Sequence, residues 1–159
     1  MRGRPAIPVA ERFWSKVDKS GECWIWTAAL DKQTGYGRVL VDGRTGHAHR
    51  VAYELTVGPI PLGRYIDHVC RVHSCVNPAH LRAVTNKQNS EHRAPSSSNA
   101  SGVRGVYWHS PTKKWVARVK HNGHVYYGGY FDAIAEAEEA VIAKRNELFT
   151  HNDLDRKTA

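Results

Sequence analysis

At 159 residues, with 41% of them hydrophobic and a mean hydropathy of −0.55, the chain has room for one ordinary domain or two small ones and no apolar run long enough to span a bilayer. Its formal charge of +8 and pI near 9.6 favour a polyanion as partner, nucleic acid first, because each cation set beside a phosphate releases a condensed counterion. The basic start, Met1 to Pro5, leads into no apolar stretch, so a secretory signal is not expected and a cytoplasmic home is.

In chain order, Val9, Phe13, Trp14 and Val17 recur at helical spacing and predict a short amphipathic helix. Cys23-Trp-Ile-Trp-Thr27 is rich in strand formers, Gly35-Tyr-Gly37 signals a turn, and Arg38 to Val41 runs into Asp42-Gly43; together they predict a β-hairpin. His49 to Val57 reads as a helix ended by Gly58-Pro59, Tyr65 to His68 as a short strand entering an irregular loop, and Asn86 to Arg93 as a closing helix. Residues 94–101, Ala-Pro-Ser-Ser-Ser-Asn-Ala-Ser, are the low-complexity run and are expected to link two domains, 1–93 and 102–152. Three alternating segments follow, Gly102 to Trp108, Lys114 to Lys120 and His124 to Phe131, the last two joined by an Asn122-Gly123 hairpin signal. Asp132 is expected to cap a helix over Ala133 to Phe149 that packs across those strands. No acidic residue occurs between Glu91 and Asp132, whereas Arg93, Arg104, Lys113, Lys114, Arg118 and Lys120 do, an asymmetry that a uniformly solvated surface would not show.

Three cysteines are an odd number for a disulfide framework in a reducing compartment, so they raise the question of metal. Cys70-x4-Cys75-x4-His80 sets three borderline-soft ligands within one loop; Zn²⁺ wants four, and Cys23 supplies the fourth. Buried free thiols are the plainer alternative for the same cysteines. Asp67 and Asn89 are oxygen donors of the kind a hard Mg²⁺ prefers, and His68 is a neutral imidazole able to take a proton near pH 7. An Asp-His pair can equally be an ordinary surface turn.

The segment Tyr65 to Asn89 resembles the motif of the HNH nucleases. The order His68, Cys70, Cys75, His80, Asn89 matches, position by position, the His-Cys box of homing endonucleases with the ββα-metal fold. Cys23-Trp-Ile-Trp, Gly35-Tyr-Gly-Arg and Ala48-His49-Arg50 also resemble phage-type HNH proteins, carrying the likeness over residues 20–93. The resemblance implies His68 as general base, Asn89 as ligand of a catalytic Mg²⁺ or Mn²⁺, and Cys23, Cys70, Cys75 and His80 as a structural zinc site. Asp67 matches the metal-binding acid of HNH enzymes rather than the His-Cys box. Asn77 falls in the central Asn region, where its Asn-Pro context suits a turn just as well; His73 matches no family role and is expected to be exposed; Arg50 and His49 are candidates for the scissile phosphate.

Residues 101–149 resemble the APETALA-type, ethylene-response-factor DNA-binding domain through Ser-Gly-Val-Arg-Gly-Val-Tyr-Trp108, Lys-Trp-Val-Ala-Arg-Val119 and Gly-Gly-Tyr-Phe-Asp132 before an alanine-rich helix. In that family a three-stranded sheet enters the major groove. The resemblance therefore implies that Arg104, Trp108, Trp115, Arg118 and Lys120 share an exposed face, opposite Val103, Val116 and Val119. Trp108 and Trp115 packed under the helix is the other phase open to the same residues.

The expectation is an α+β protein: a small zinc-stabilised ββα-metal nuclease domain, then a three-stranded antiparallel sheet packed on one helix. It would hydrolyse double-stranded DNA with Mg²⁺ or Mn²⁺ to 5′-phosphate and 3′-hydroxyl ends, alone or as a homodimer, in a bacterial or phage-infected cytosol. A non-catalytic DNA-binding regulator with a structural zinc is the rival, and Asp67, His68 and Asn89 speak against it, since a scaffold needs none of them. A ribonuclease is the third, weakened because A-form RNA hides its major groove.

Overall fold

The computed structural model describes residues 7–96 and 98–157; the basic start, Met1 to Pro5, and Ser97 of the expected linker lie outside the described residues. The chain divides into two compact units, Met1–Asn86 and Lys87–Ala159. The expected linker, 94–101, falls inside the second unit.

In the first unit, helix α1 (Val9–Trp14) buries Phe13 against Trp26, their ring centroids 4.9 Å apart. Strand β1 (Val17–Asp18) pairs antiparallel with β2 (Ile25–Trp26), and β3 (Arg38–Val41) pairs with β4 (Arg44–His47) around Asp42-Gly43. The segment around Trp24–Trp26 and the segment Arg38–Val41 are thus members of two separate hairpins, not partners in one. The Asp42-Gly43 turn explains this: both residues have positive φ, 48° and 74°, so the chain reverses within two residues and β3 is satisfied by β4. Gly37 has a different role, since a Cβ there would stand 2.8 Å from both Ala48 Cβ and Trp26 Cδ1. Its absence lets β3 enter against the core of Phe13, Trp26, Ala48, Ala52, Ile66, Val76 and Leu81.

Helix α2 (Ala48–Thr56) buries Ala48, His49 and Ala52 on one side. Strand β5 (Tyr65–His68) pairs antiparallel with β6 (Leu81–Val84), with His68 opposite Leu81 and Asp67 opposite Arg82. The twelve-residue connection between them is a loop carrying a 3₁₀ turn at Pro78–His80. Next in the chain is α3 (Asn86–Glu91), so the order β5, β6, α3 along the sequence is strand, strand, helix.

The second unit contains the antiparallel sheet β7 (Val106–His109), β8 (Lys114–His121) and β9 (His124–Phe131), in that order, covered by α4 (Ile134–Leu148). Its core is Val106, Ala117, Val119, Ala137, Val141 and Phe149. A Cβ on Gly105, whose φ is 88°, would come within 2.7 Å of the Arg118 carbonyl, so β7 begins where only glycine fits. Asp132 does not cap α4. Ala133 holds that position with no side-chain bond, and the Asp132 carboxylate instead meets Lys114 Nζ at 2.9 Å. A final helix, α5 (Asp153–Lys157), had no sequence signal; Arg145, 6% exposed, anchors it by donating to both carboxylate oxygens of Asp155. No helix among the described residues is long and apolar enough to cross a membrane.

Candidate active site and metal centre

Backbone pairing brings the metal-binding residues together. Trp26 N donates to Ser74 O, Val76 N to Trp24 O, and Ile25 bridges Cys75, so the loop after β5 lies along β2. Asn77 secures both ends of that arrangement. Its side-chain oxygen accepts from Ala79 N at 3.0 Å and its amide donates to Glu22 O at 2.7 Å, next to Cys23. The role of Asn77 is accordingly structural. Cys23, Cys70, Cys75 and His80 converge, their ligand atoms all within 4.8 Å of one another. His80 Nδ1 sits 3.6 Å from Cys23 Sγ and 3.6 Å from Cys75 Sγ. A tetrahedral zinc with bonds of about 2.0–2.3 Å needs its ligand atoms roughly 3.5–3.8 Å apart, so this donor set fits the ion. Burial pushes the Cys75 thiol up to about 12, which a coordinated cation reverses by favouring the thiolate; Asn77 N, 3.4 Å from that sulfur, is placed to support it.

His68 stands at the end of β5, 4% exposed. Its Nε2 lies 2.9 Å from the carbonyl of Cys75. A carbonyl can only accept, so Nε2 carries the hydrogen and Nδ1 is the basic nitrogen of the neutral ring. Burial is the largest influence on this imidazole and lowers its pKa below 6.5; the bond to Cys75 pulls the other way and is outweighed. The ring is therefore an unprotonated base at neutral pH, and its orientation depends on a residue of the cysteine cluster.

Asp67, its neighbour, is 9% exposed and receives Arg82 Nε and Nη2, each at 3.0 Å, on Oδ2. Arg82 faces it directly across the β5–β6 pair. Around His68 lies a ring cluster that sequence patterns show poorly. His49 is 4.8 Å away between centroids, Tyr36 5.8 Å and His73 6.4 Å. Tyr36 stacks on His73 at 4.5 Å and 10°, and His73 Nδ1 donates to Thr34 O at 2.6 Å, so the exposed His73 fixes the turn that carries Tyr36. The Gly35-Tyr-Gly37 turn was the available signal for Tyr36. Nothing in the sequence links His73 to it.

His49 is 6% exposed, its Nδ1 sealed without a partner, and its pKa is driven down to about 3 by burial first and then by the neighbouring His68. Arg50 follows it on α2, half-buried. Asn89 lies on α3, which folds mainly with the second unit.

Comparison with known proteins finds a likeness over part of this region. Residues 47–91 match the family model of the HNH endonucleases. The match begins at the last residue of β4, includes α2, the loop with Cys70, Cys75 and His80, and ends on α3. Among curated proteins, the chain is similar to three of Escherichia phage T7. Protein 7.7 is 38% identical over 81 residues (51% of this chain, 62% of that one), and Protein 3.8 is 35% identical over 77 residues (47% and 62%). Protein 2.8 is 38% identical over 77 residues (47% and 50%). The chain thus spans less than two thirds of the length of each of these relatives. No solved structure matches it. The matched segment is similar to an HNH endonuclease domain.

In the second unit, register decides which side chains share the sheet's open face. Val106 pairs with Ala117 and Trp108 with Trp115, on the side of α4. Trp115 packs against the core there and meets Trp108 edge-on at 5.2 Å. The two tryptophans are therefore not on the face of Arg118 and Lys120, and Val116, expected opposite those cations, is on their side. The α4 core explains the choice: Ala117 and Val119 face it, and Trp115 shares their parity. The open face carries Tyr107, Tyr127 and Tyr130, 44%, 60% and 48% exposed, with Arg118 and Lys120; the Arg118 guanidinium lies 4.9 Å from the Tyr107 ring. Arg104 is not on this face either. Its guanidinium donates to the carbonyls of Ser90, Glu91 and Arg93 at 2.9, 2.7 and 2.9 Å.

Proposed function

We propose that the chain is a metal-dependent DNA endonuclease whose second unit holds double-stranded DNA on the open sheet face, and that it acts in the host cytosol. The observation that carries this reading is the buried, neutral His68 with its tautomer set by Cys75 O, one residue from a carboxylate, inside the HNH-matched segment. A pure scaffold would have no use for a base held this way.

In this mechanism His68 Nδ1 takes a proton from the attacking water, while Nε2–H stays on the Cys75 carbonyl. The water oxygen forms a bond to phosphorus, the bond from phosphorus to the 3′ oxygen breaks, and that oxygen collects a proton from solvent, leaving 5′-phosphate and 3′-hydroxyl ends. A hard divalent cation, Mg²⁺ or Mn²⁺, suits the oxygen donors Asp67 and, by sequence spacing, Asn89, and when bound it neutralises charge at the phosphate. The softer Cys23, Cys70, Cys75 and His80 suit zinc, so the two donor sets sort two ions by hardness. Arg82 holds the Asp67 carboxylate in place, and Arg50 is a candidate contact to the scissile phosphate. On the DNA face Tyr107, Tyr127 and Tyr130 join Arg118 and Lys120 in place of Arg104, Trp108 and Trp115, and the resemblance to the APETALA-type domain supports their lying in the major groove. One His68 centre per chain makes a nick the product of a single chain; a homodimer would cut both strands.

The test is incubation with supercoiled plasmid in Mg²⁺ or in chelator. Wild type converts it to open circles only with the metal. His68→Ala loses that conversion while retaining DNA affinity, and a mutant as active as wild type refutes the assignment.

A further inference from the structure

The turn before β3 presents one polar side-chain atom that the first unit's own packing does not use. Asp31 Oδ1 accepts from Gln33 N at 3.1 Å and Thr34 N at 2.9 Å, Gly35 N donates to Asp31 O at 2.8 Å, and Asp31 N donates to Tyr36 O at 2.8 Å, so the turn closes on itself at Tyr36. Gly35 takes φ 74°, and Gly37 lies where a Cβ would meet Ala48 and Trp26, so the residue between them has little freedom. Four imidazoles surround its ring: His73 stacked at 4.5 Å, His49 at 5.0 Å, His47 at 5.5 Å and His68 at 5.8 Å between centroids. All of these residues belong to the first unit. Every one of these contacts is made by the ring or the backbone, and phenylalanine would make them all. What phenylalanine lacks is the hydroxyl. Among the described residues no protein group is hydrogen-bonded to it, and it is not sealed from solvent as His49 Nδ1 is.

We propose that Tyr36 is a catalytic residue of this nuclease: its hydroxyl donates a hydrogen bond to a non-bridging oxygen of the phosphate that His68 serves, where negative charge builds as water attacks. This rests on the nuclease reading of His68. A donor of this kind contributes most when it is fixed in advance, and the stack on His73, itself tied to Thr34 O at 2.6 Å, fixes this one. No proton passes through it. The water's proton goes to His68 Nδ1, the departing 3′ oxygen takes its proton from solvent, and the phenolic hydrogen stays on its own oxygen. Burial, and then the Asp67 carboxylate, raise the Tyr36 pKa above 10, which keeps that hydrogen in place near neutral pH. His73, which matched no family role, is the support that orients the donor.

The test is single-turnover nicking of supercoiled plasmid by the zinc-loaded full chain in Mg²⁺, with DNA affinity, zinc content and melting temperature measured on the same preparations. Tyr36→Phe keeps the stack and removes only the donor. It should nick about a hundredfold more slowly, with DNA affinity changed less than twofold and with zinc content and melting temperature as in wild type. Tyr36→Leu removes the ring as well and separates donor from packing, since it should lower the melting temperature and nick no faster than Tyr36→Phe. A Tyr36→Phe protein as fast as wild type overturns the proposal, and if Tyr36→Leu alone is slow the residue only packs the site. A slow Tyr36→Phe that has also lost zinc or melts at a lower temperature overturns it in the same way, as does a loss of DNA affinity large enough to account for the whole effect. Wild-type protein that binds DNA and never cuts it with Mg²⁺ or Mn²⁺ fails the nuclease reading itself, and this role with it, whereas an active wild type beside an equally active Tyr36→Phe fails the role alone.

Discussion

Removing the zinc should unfold the first unit and leave the second folded. A unit of 86 residues is worth roughly 4–13 kcal/mol at the usual 0.05–0.15 kcal/mol per residue. Its main buried core cluster among the described residues is seven side chains, two of them alanine, which places it toward the lower end. Structural zinc in a cysteine-histidine site contributes about 10–16 kcal/mol at neutral pH, equal to or larger than that whole stability. The ligands come from the chain just before β2 and from the loop between β5 and β6, so losing the ion releases both pairs of strands at once. The base goes with them, because the carbonyl fixing His68 belongs to Cys75. Purified protein should carry one zinc per chain by elemental analysis, released on treatment with a mercurial. After release, hydrogen exchange should become fast across 65–84 and stay slow across 106–131, with nicking lost in Mg²⁺ and recovered on adding zinc. A zinc-free protein with protection across 65–84 intact would refute the reasoning.

Other outcomes follow from the same geometry. Because burial lowers the His68 pKa, nicking should persist below pH 6.5, and His68→Ala should cut about 10²–10⁴-fold more slowly across the whole pH range; an acid limb above pH 6.5 would contradict a buried neutral base. Arg118→Ala and Tyr107→Ala should weaken DNA binding in an anisotropy titration, the former reducing the salt slope by about one if it meets a phosphate, whereas Trp115→Ala should lower the melting temperature first; the reverse pattern would refute the face assignment. His49 titrates at about 3 when folded against 6.5 as a free group, so between those values only the unfolded chain takes the proton. Its stabilising effect is thus full above pH 6.5 and is lost as pH falls through that window, at up to ~1.4 kcal/mol per pH unit. His49→Asn should flatten the pH dependence of the urea midpoint of zinc-loaded protein over pH 6.5–5, and an unchanged slope would assign the acid sensitivity elsewhere.

The parts most legible in the sequence were those in which local chemistry and tertiary need coincide. Cysteines and histidine at x4 spacing announced the metal cluster, Asn122-Gly123 announced the β8–β9 hairpin, and alternation gave three strands before an alanine-rich helix. Helices α1, α2 and α3 fell within two residues of expectation, except that α1 stops at Trp14, where β1 takes over. What was hidden depended on long-range pairing. Strand β6 has no striking alternation, Leu-Arg-Ala-Val, and becomes a strand because β5 lies beside it. The phase of β8 was undecidable locally, since Trp115 and Arg118 are an odd number of residues apart and a regular strand cannot put both on one face; α4 settles which of them is inward.

Arg104 shows how a motif can mislead by being correct in type and wrong in use. An arginine in a Gly-Val-Arg-Gly run within a basic, acid-free stretch has the composition of a DNA reader. Its surroundings differ from those of Arg118 in one respect that the sequence does not display: three carbonyls at the end of a short helix thirteen or so residues upstream need donors, and a guanidinium carries five in a rigid fork. Lys120 and Arg118 have no such demand on them from the backbone and stay outward on β8. Exposure therefore separates side chains open to solvent from those bound to the protein's own frame better than residue type does. On the open sheet face the side chains left outward are tyrosines interleaved with Arg118 and Lys120, whereas Arg104 is bound to the frame of its own unit.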